Sequence, residues 1–119
     1  MAGGLAALLA LALAGCGETS ATYRSPVLAL TATEYEITPE SVVMHAGRVR
    51  IELTNRGDLV HEAAVANADG RILSQTGAVF PGHTAFSPPF ALAPGTYRVY
   101  DPGANYADLG MYGSLRVVG

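Results

Sequence analysis

The groups able to do chemistry in this chain are few, and several of them crowd one stretch. Residues 97–113 read Tyr-Arg-Val-Tyr-Asp-Pro-Gly-Ala-Asn-Tyr-Ala-Asp-Leu-Gly-Met-Tyr-Gly. The stretch leaves the turn Pro94-Gly95-Thr96 as an alternating strand and becomes a loop rich in Pro, Gly, Asn and Asp. It closes on Gly110-Met111-Tyr112-Gly113 before a last strand, Ser114 to Val118. Loops at the end of a sheet are where binding groups are usually carried. This one has the outline of a metal-binding loop, yet its carboxylate, phenol and thioether (Asp101, Tyr106, Met111) are poor ligands. The imidazoles lie elsewhere, at His45, His61 and His83.

Other chemistries find little support. Ser and Thr are present, but nothing places one against His61 or His83 with an orienting carboxylate, as acyl transfer requires. No Gly-rich phosphate loop and no CxxC pair occurs. The expectation is a protein that is not an enzyme. Seven Lys plus Arg against ten Asp plus Glu give a net charge of −3. That balance offers no electrostatic footprint for nucleic acid.

The elements that must position these groups are strands. The chain has 119 residues, which suits one domain, and its 14 Gly and 7 Pro favour many turns over long helices. Leu28 to Thr33 and Tyr35-Glu36-Ile37 alternate in part, and Ser41 to His45 is a strand ended by Ala46-Gly47. Arg48 to Thr54 alternates cleanly, with Val49, Ile51 and Leu53 on one face. His61 to Ala66 follows a loop at Asn55-Arg56-Gly57-Asp58. Ile72-Leu73 and His83 to Ser87 are shorter candidates, and Pro88-Pro89 implies an edge or a strand end. About eight short strands with regular turns and no helical period predict an all-β, antiparallel sandwich.

The first 15 residues carry no charge and end in small side chains, as a secretory signal does. The run is too short to span a bilayer, which needs roughly 20 apolar residues. Leu13-Ala14-Gly15-Cys16 resembles the lipobox of bacterial lipoproteins, although no Lys or Arg precedes the apolar run. The resemblance implies cleavage before Cys16 and lipid on its sulfur and new amino terminus. The expected division is a signal peptide over 1–15, lipidated Cys16 with a polar tether over 16–26, and a domain over 27–119. Cys16 is the only cysteine, so lipidation leaves no thiol for a metal. The partner implied is a membrane, and the location the extracytoplasmic or periplasmic face of the envelope.

From Thr33 onward the order of features resembles a small cupredoxin, the blue copper fold. Four pieces carry the likeness: Tyr35-x-Ile37-x-Pro39 leading to Val42-Val43-x-x-Ala46-Gly47; Leu53-Thr54-Asn55-x-Gly57-x-x-x-His61; Pro81-Gly82-x-Thr84 with Pro94-Gly95-Thr96-Tyr97 behind it; and Gly110-Met111-x-Gly113-x-Leu115-x-Val117. The resemblance implies a Greek-key β-sandwich and a copper site at one end. Counting back from Gly110-Met111 without a gap, the family histidine falls on Tyr106 and the family cysteine on Asp101. A gap at Pro102-Gly103 would instead set Val99 and Ala104 there; the ungapped count keeps Tyr100 in register. The four ligand positions then read His61, Asp101, Tyr106 and Met111.

A blue centre needs two imidazoles and a thiolate, with a weak axial methionine. The domain has no thiolate, so that centre is excluded. His61 and Asp101 suit Cu(II) or Zn(II) better than Cu(I), with Met111, Tyr106 or His83 completing the shell. His83 is included because the strand after Pro81-Gly82 begins, in the family layout, at the same end as the loop. Beside this stand plainer roles. Asp101 before Pro102 is a turn former, Tyr106 a plug where an imidazole would sit, Met111 a filler of the sandwich end, and His45 exposed at the opposite end. Two functions follow. One is a cupredoxin-like envelope lipoprotein with a degenerate copper or divalent-metal site, tied to copper handling or electron transfer and to a protein partner of that kind. The other is a metal-free sandwich acting as an interaction or scaffold module.

Overall fold

A computed structural model describes residues 19–119; the predicted signal segment and Cys16 lie outside the described residues. Eleven strands make up the described chain: β1 (Ser20–Tyr23), β2 (Val27–Thr33), β3 (Glu36–Thr38), β4 (Ser41–His45), β5 (Gly47–Asn55), β6 (Ala64–Ala66), β7 (Ile72–Gln75), β8 (Thr84–Phe86), β9 (Phe90–Leu92), β10 (Gly95–Tyr100) and β11 (Tyr112–Val118). They form two layers. One sheet runs β1-β4-β11-β10-β6-β7; the other runs β3-β2-β5-β8, with β9 also paired to β5.

Alternation in the strands becomes the core between the layers. Leu28, Leu30 and Ala32 of β2 and Val49, Ile51 and Leu53 of β5 are buried, as are Val42 and Met44 of β4 and Leu115 and Val117 of β11. Burying each Leu, Ile, Val or Met side chain among them stabilises by about 1.5–3 kcal/mol relative to exposure. Pro88-Pro89 falls between β8 and β9, which pair with opposite ends of β5. Proline has no N–H to give a ladder, so the edge pairing breaks there.

Two expectations change. The sandwich is not purely antiparallel: β2 lies parallel to β5, β4 to β11, and β1 to β4. Side-chain alternation reports which face is buried and carries no information on strand direction. Ser20 to Tyr23, expected as tether, forms β1 on the edge of the six-stranded sheet, with Ser20 opposite Ser41. Its pairing is made by backbone groups, which a polar sequence does not advertise.

These directions set the two ends of the molecule. β2 and β5 run toward one end, where they stop at Thr33 and Asn55; β10 arrives at the same end with Tyr100, and β11 leaves it from Tyr112. That end carries Asp101, Tyr106 and Met111.

Candidate functional site

Asn55, at the end of β5 and fully buried, shapes the loop before His61. Its side-chain NH₂ donates to the carbonyls of Leu59 and Val79, both at 2.8 Å, and its Oδ1 accepts the N–H of Gly57 at 2.8 Å. His61 then pairs with Val79 as an isolated antiparallel bridge, so the strand expected from His61 begins only at Ala64. Both backbone groups of His61 are thereby fixed, and its ring is buried, with 1% exposure.

The ring lies between two carboxylates. Nδ1 is 2.8 Å from Oδ2 of Asp101, and Nε2 is 2.5 Å from Oε2 of Glu34. A neutral imidazole has one N–H and cannot donate to both acceptors. Both contacts are satisfied when one further proton is shared within the triad, on the ring or on one of the carboxyls. Asp101 is completely buried, and its other oxygen accepts the N–H of Gly103 at 2.8 Å. The turn-forming role and the pairing with His61 therefore coexist on one side chain.

Glu34, in the short loop between β2 and β3, was not among the residues singled out from sequence. Its Oε1 accepts the N–H of Asp58 at 2.7 Å. That backbone donor, followed by the bond to His61, holds the Glu34 carboxyl below its ordinary range, against a smaller opposing effect of burial. Room for the carboxylate comes from Gly57, where a Cβ would overlap it. The only sequence cue was the Asn55-x-Gly57 pair, which marks a close approach without naming what approaches.

Tyr106 packs its ring against His61 edge-on, centroids 5.0 Å apart, and lies 5.9 Å from the ring of Tyr35. Met111 is fully buried, and its N–H and carbonyl bond to Tyr106 and Asp101. The Gly110-Met111-x-Gly113 spacing has a backbone cause. Gly110 has φ +120°, and a Cβ on Gly113 would collide with the backbone of Glu40. The structure thus brings His61, Asp101, Tyr106 and Met111 to one end. His83 is not drawn in: its backbone carbonyl reaches Asn55, but its exposed ring turns to the carbonyl of Pro81, 3.2 Å away. His45 is exposed at the other end, its Nδ1 3.3 Å from the Gly119 carbonyl. A groove of about 550 Å³ on the outer face of the six-stranded sheet is lined by Arg98, Tyr100 and Tyr112, and neither His61 nor Asp101 reaches it.

Neither the family models nor the curated proteins give a match. Solved structures do. A reduced auracyanin from the photosynthetic bacterium Roseiflexus castenholzii aligns with a TM-score of 0.71 and 16% identity, over 82% of this chain and 100% of that one. Auracyanin B gives 0.67 and 19%, over 87% and 93%. Reduced rusticyanin gives 0.61 and 17%, over 83% and 84%.

Proteins of this fold imply copper, and the residues present do not fit it. A metal takes a lone pair on an imidazole nitrogen, and both nitrogens of His61 already face carboxylates. The two carboxylates sit against different ring nitrogens, so they do not converge with the imidazole on one point. No cluster of three His, Cys, Asp or Glu side chains suited to an ion is assembled among the described residues. The architecture is nonetheless plain: an all-β Greek-key sandwich with the cupredoxin-like fold.

Proposed function

We propose that the chain is an exported envelope lipoprotein whose cupredoxin-like domain works without a metal, as an interaction module presenting its Tyr106–Met111 end. One observation carries this reading: Glu34 and Asp101 occupy the two nitrogens of the buried His61 ring. In a blue copper centre a cation ties the loops together. Here the imidazole of His61 takes that part, tying the β2–β3 loop, the segment before β6 and the β10–β11 loop with hydrogen bonds. Single-electron carriage has no support in such a network, which contains no group that changes oxidation state readily. Anchoring rests on Leu13-Ala14-Gly15-Cys16 and on the uncharged run ahead of it.

The other reading is a weak divalent-metal site on His61 and Asp101, with Met111 or Tyr106 as further donors; the His83 ring, turned to the Pro81 carbonyl, would have to swing in to join them. It is favoured by the gathering of His61, Asp101 and the buried Met111 at one end, and it requires a carboxylate to give up its ring nitrogen to the ion. Calorimetric titration with Cu(II), Cu(I) and Zn(II) separates the readings. The metal-free module predicts the same negligible heat for the wild type and for His61→Ala. Tight binding by the wild type that His61→Ala abolishes would establish the metal site instead.

A further inference from the structure

We propose that the His61 end of the sandwich is seated on a lipid surface, so that what this interaction end meets is the bilayer itself. The inference rests on the lipid-anchored reading given above and adds an orientation to it. Three independent features point the same way.

The first is strand direction. β11 leaves the His61 end at Tyr112; β4 runs parallel to it, with Ser41 opposite Ser114; β1 runs parallel to β4, with Ser20 opposite Ser41. The chain therefore enters the fold from the His61 end. Thr19 is pinned there, its carbonyl accepting the N–H groups of Glu40 and Ser41 at 3.1 and 3.0 Å. Ser114 in turn donates its N–H to the Glu40 carbonyl at 2.8 Å, next to the Gly110-Met111-x-Gly113 turn.

The second is reach. Cys16 precedes Ser20 by four residues, which span at most about 14 Å of extended chain. The nine residues of β5 run the length of the sandwich, about 30 Å at strand rise. A lipid on Cys16 can lie beside the His61 end and cannot reach the opposite one.

The third is the surface that this orientation would present. Tyr35, Leu59, Val60, Phe80 and Leu109 are exposed by 43%, 39%, 41%, 61% and 47%, and all five sit in loops at this end. Tyr35 flanks the Tyr106 ring, Leu59 and Val60 lead into His61, Phe80 follows its bridge partner Val79, and Leu109 lies in the β10–β11 loop. Away from this end, Ile72 at the start of β7 and Phe86 on β8 are exposed by 40% and 42%, but they stand singly, Phe86 under the guanidinium of Arg50, and do not gather into a patch. A patch of this composition, with tyrosine among aliphatic and phenyl groups, matches the apolar-to-polar boundary of a bilayer. The exposed charges among these loops, Asp58 and Asp108 against Arg56, lean acidic, so the lipid favoured is zwitterionic rather than anionic.

The test uses the full chain, purified with its lipid and placed in phosphatidylcholine vesicles. The mass of the mature protein first reports whether Cys16 carries lipid, which would also leave it unreactive toward thiol dyes. Leu109→Cys and Asp69→Cys, both at exposed positions and at opposite ends, are then labelled in turn with a polarity-sensitive dye. The expected result is blue-shifted emission at position 109, with several-fold stronger quenching by spin-labelled lipid than at position 69. Equal, aqueous behaviour of the two probes on a lipidated protein would overturn the seating and leave the anchor standing. A mature mass without lipid would remove the anchor and the seating together.

Discussion

The carboxylate of Asp101 and the imidazole of His61 are both removed from water and meet at 2.8 Å. A buried pair of this kind is more informative when one partner is deleted than as a sum of attractions, because the partner left behind keeps its desolvation cost. Asp101→Ala removes the acceptor of His61 and of the Gly103 N–H together, and is expected to cost about 3–5 kcal/mol. Asp101→Asn keeps the shape and can still serve both neighbours once His61 holds a single proton, at a cost of about 1–2 kcal/mol. Urea midpoints for the two variants check the order. Equal losses would mean that charge, not hydrogen bonding, holds this end together.

Glu34 makes stability depend on acid in a defined direction. Its folded carboxyl lies below the ordinary value of 4.5, chiefly through the Asp58 N–H and then through His61. A depressed carboxyl contributes stability above its unfolded value and loses it as pH falls through the folded one. The melting temperature of the wild type should therefore exceed that of Glu34→Gln at neutral pH. The gap should narrow as pH drops below about 4.5. Parallel melting curves across that range would show that the bond to Asp58 does not favour the ionised form.

Gly57 offers a test of whether Glu34 is where the structure puts it. Gly57 does not have a positive φ, so alanine is not opposed by the backbone there. The obstacle is the Glu34 carboxylate, and Gly57→Ala is expected to cost about 1–3 kcal/mol by forcing it aside. With Glu34→Ala already in place, the same substitution should be nearly neutral. A double-mutant cycle reads the difference as the coupling energy. Additive losses would place the strain somewhere other than the carboxylate.

What could be read from the sequence was whatever leaves a local trace. β4 from Ser41 to His45 and the buried face of β5 follow from alternation alone, and an ungapped count from Gly110-Met111 placed Asp101 beside His61. Glu34 left no trace, because it reaches His61 only through the parallel pairing of β2 with β5, a long-range event. His83 shows the limit of placing a residue by its strand: β8 does begin at the expected end, but the ring rotates outward onto the Pro81 carbonyl. β1 was hidden for a different reason, since Ser20-Ala21-Thr22-Tyr23 has too little apolar alternation to mark an edge strand held by its backbone.

The geometry around His61 predicts that two substitutions would turn this end into a copper site. Asp101 stands against Nδ1 of His61, Tyr106 rests its ring on the imidazole, and Met111 is buried behind them. Asp101→Cys with Tyr106→His supplies the thiolate and second imidazole that a blue centre needs, and Met111 supplies the thioether. Glu34 would remain on the far nitrogen of His61, where a carboxylate fixes the ring and raises its basicity toward a metal. The double variant should take up Cu(II) with an intense thiolate-to-copper absorption band, while the wild type and Tyr106→His alone stay colourless. Absence of the band in a folded double variant would mean that Asp101 and Tyr106 do not stand at the ligand positions, and that the ungapped count along this loop is wrong.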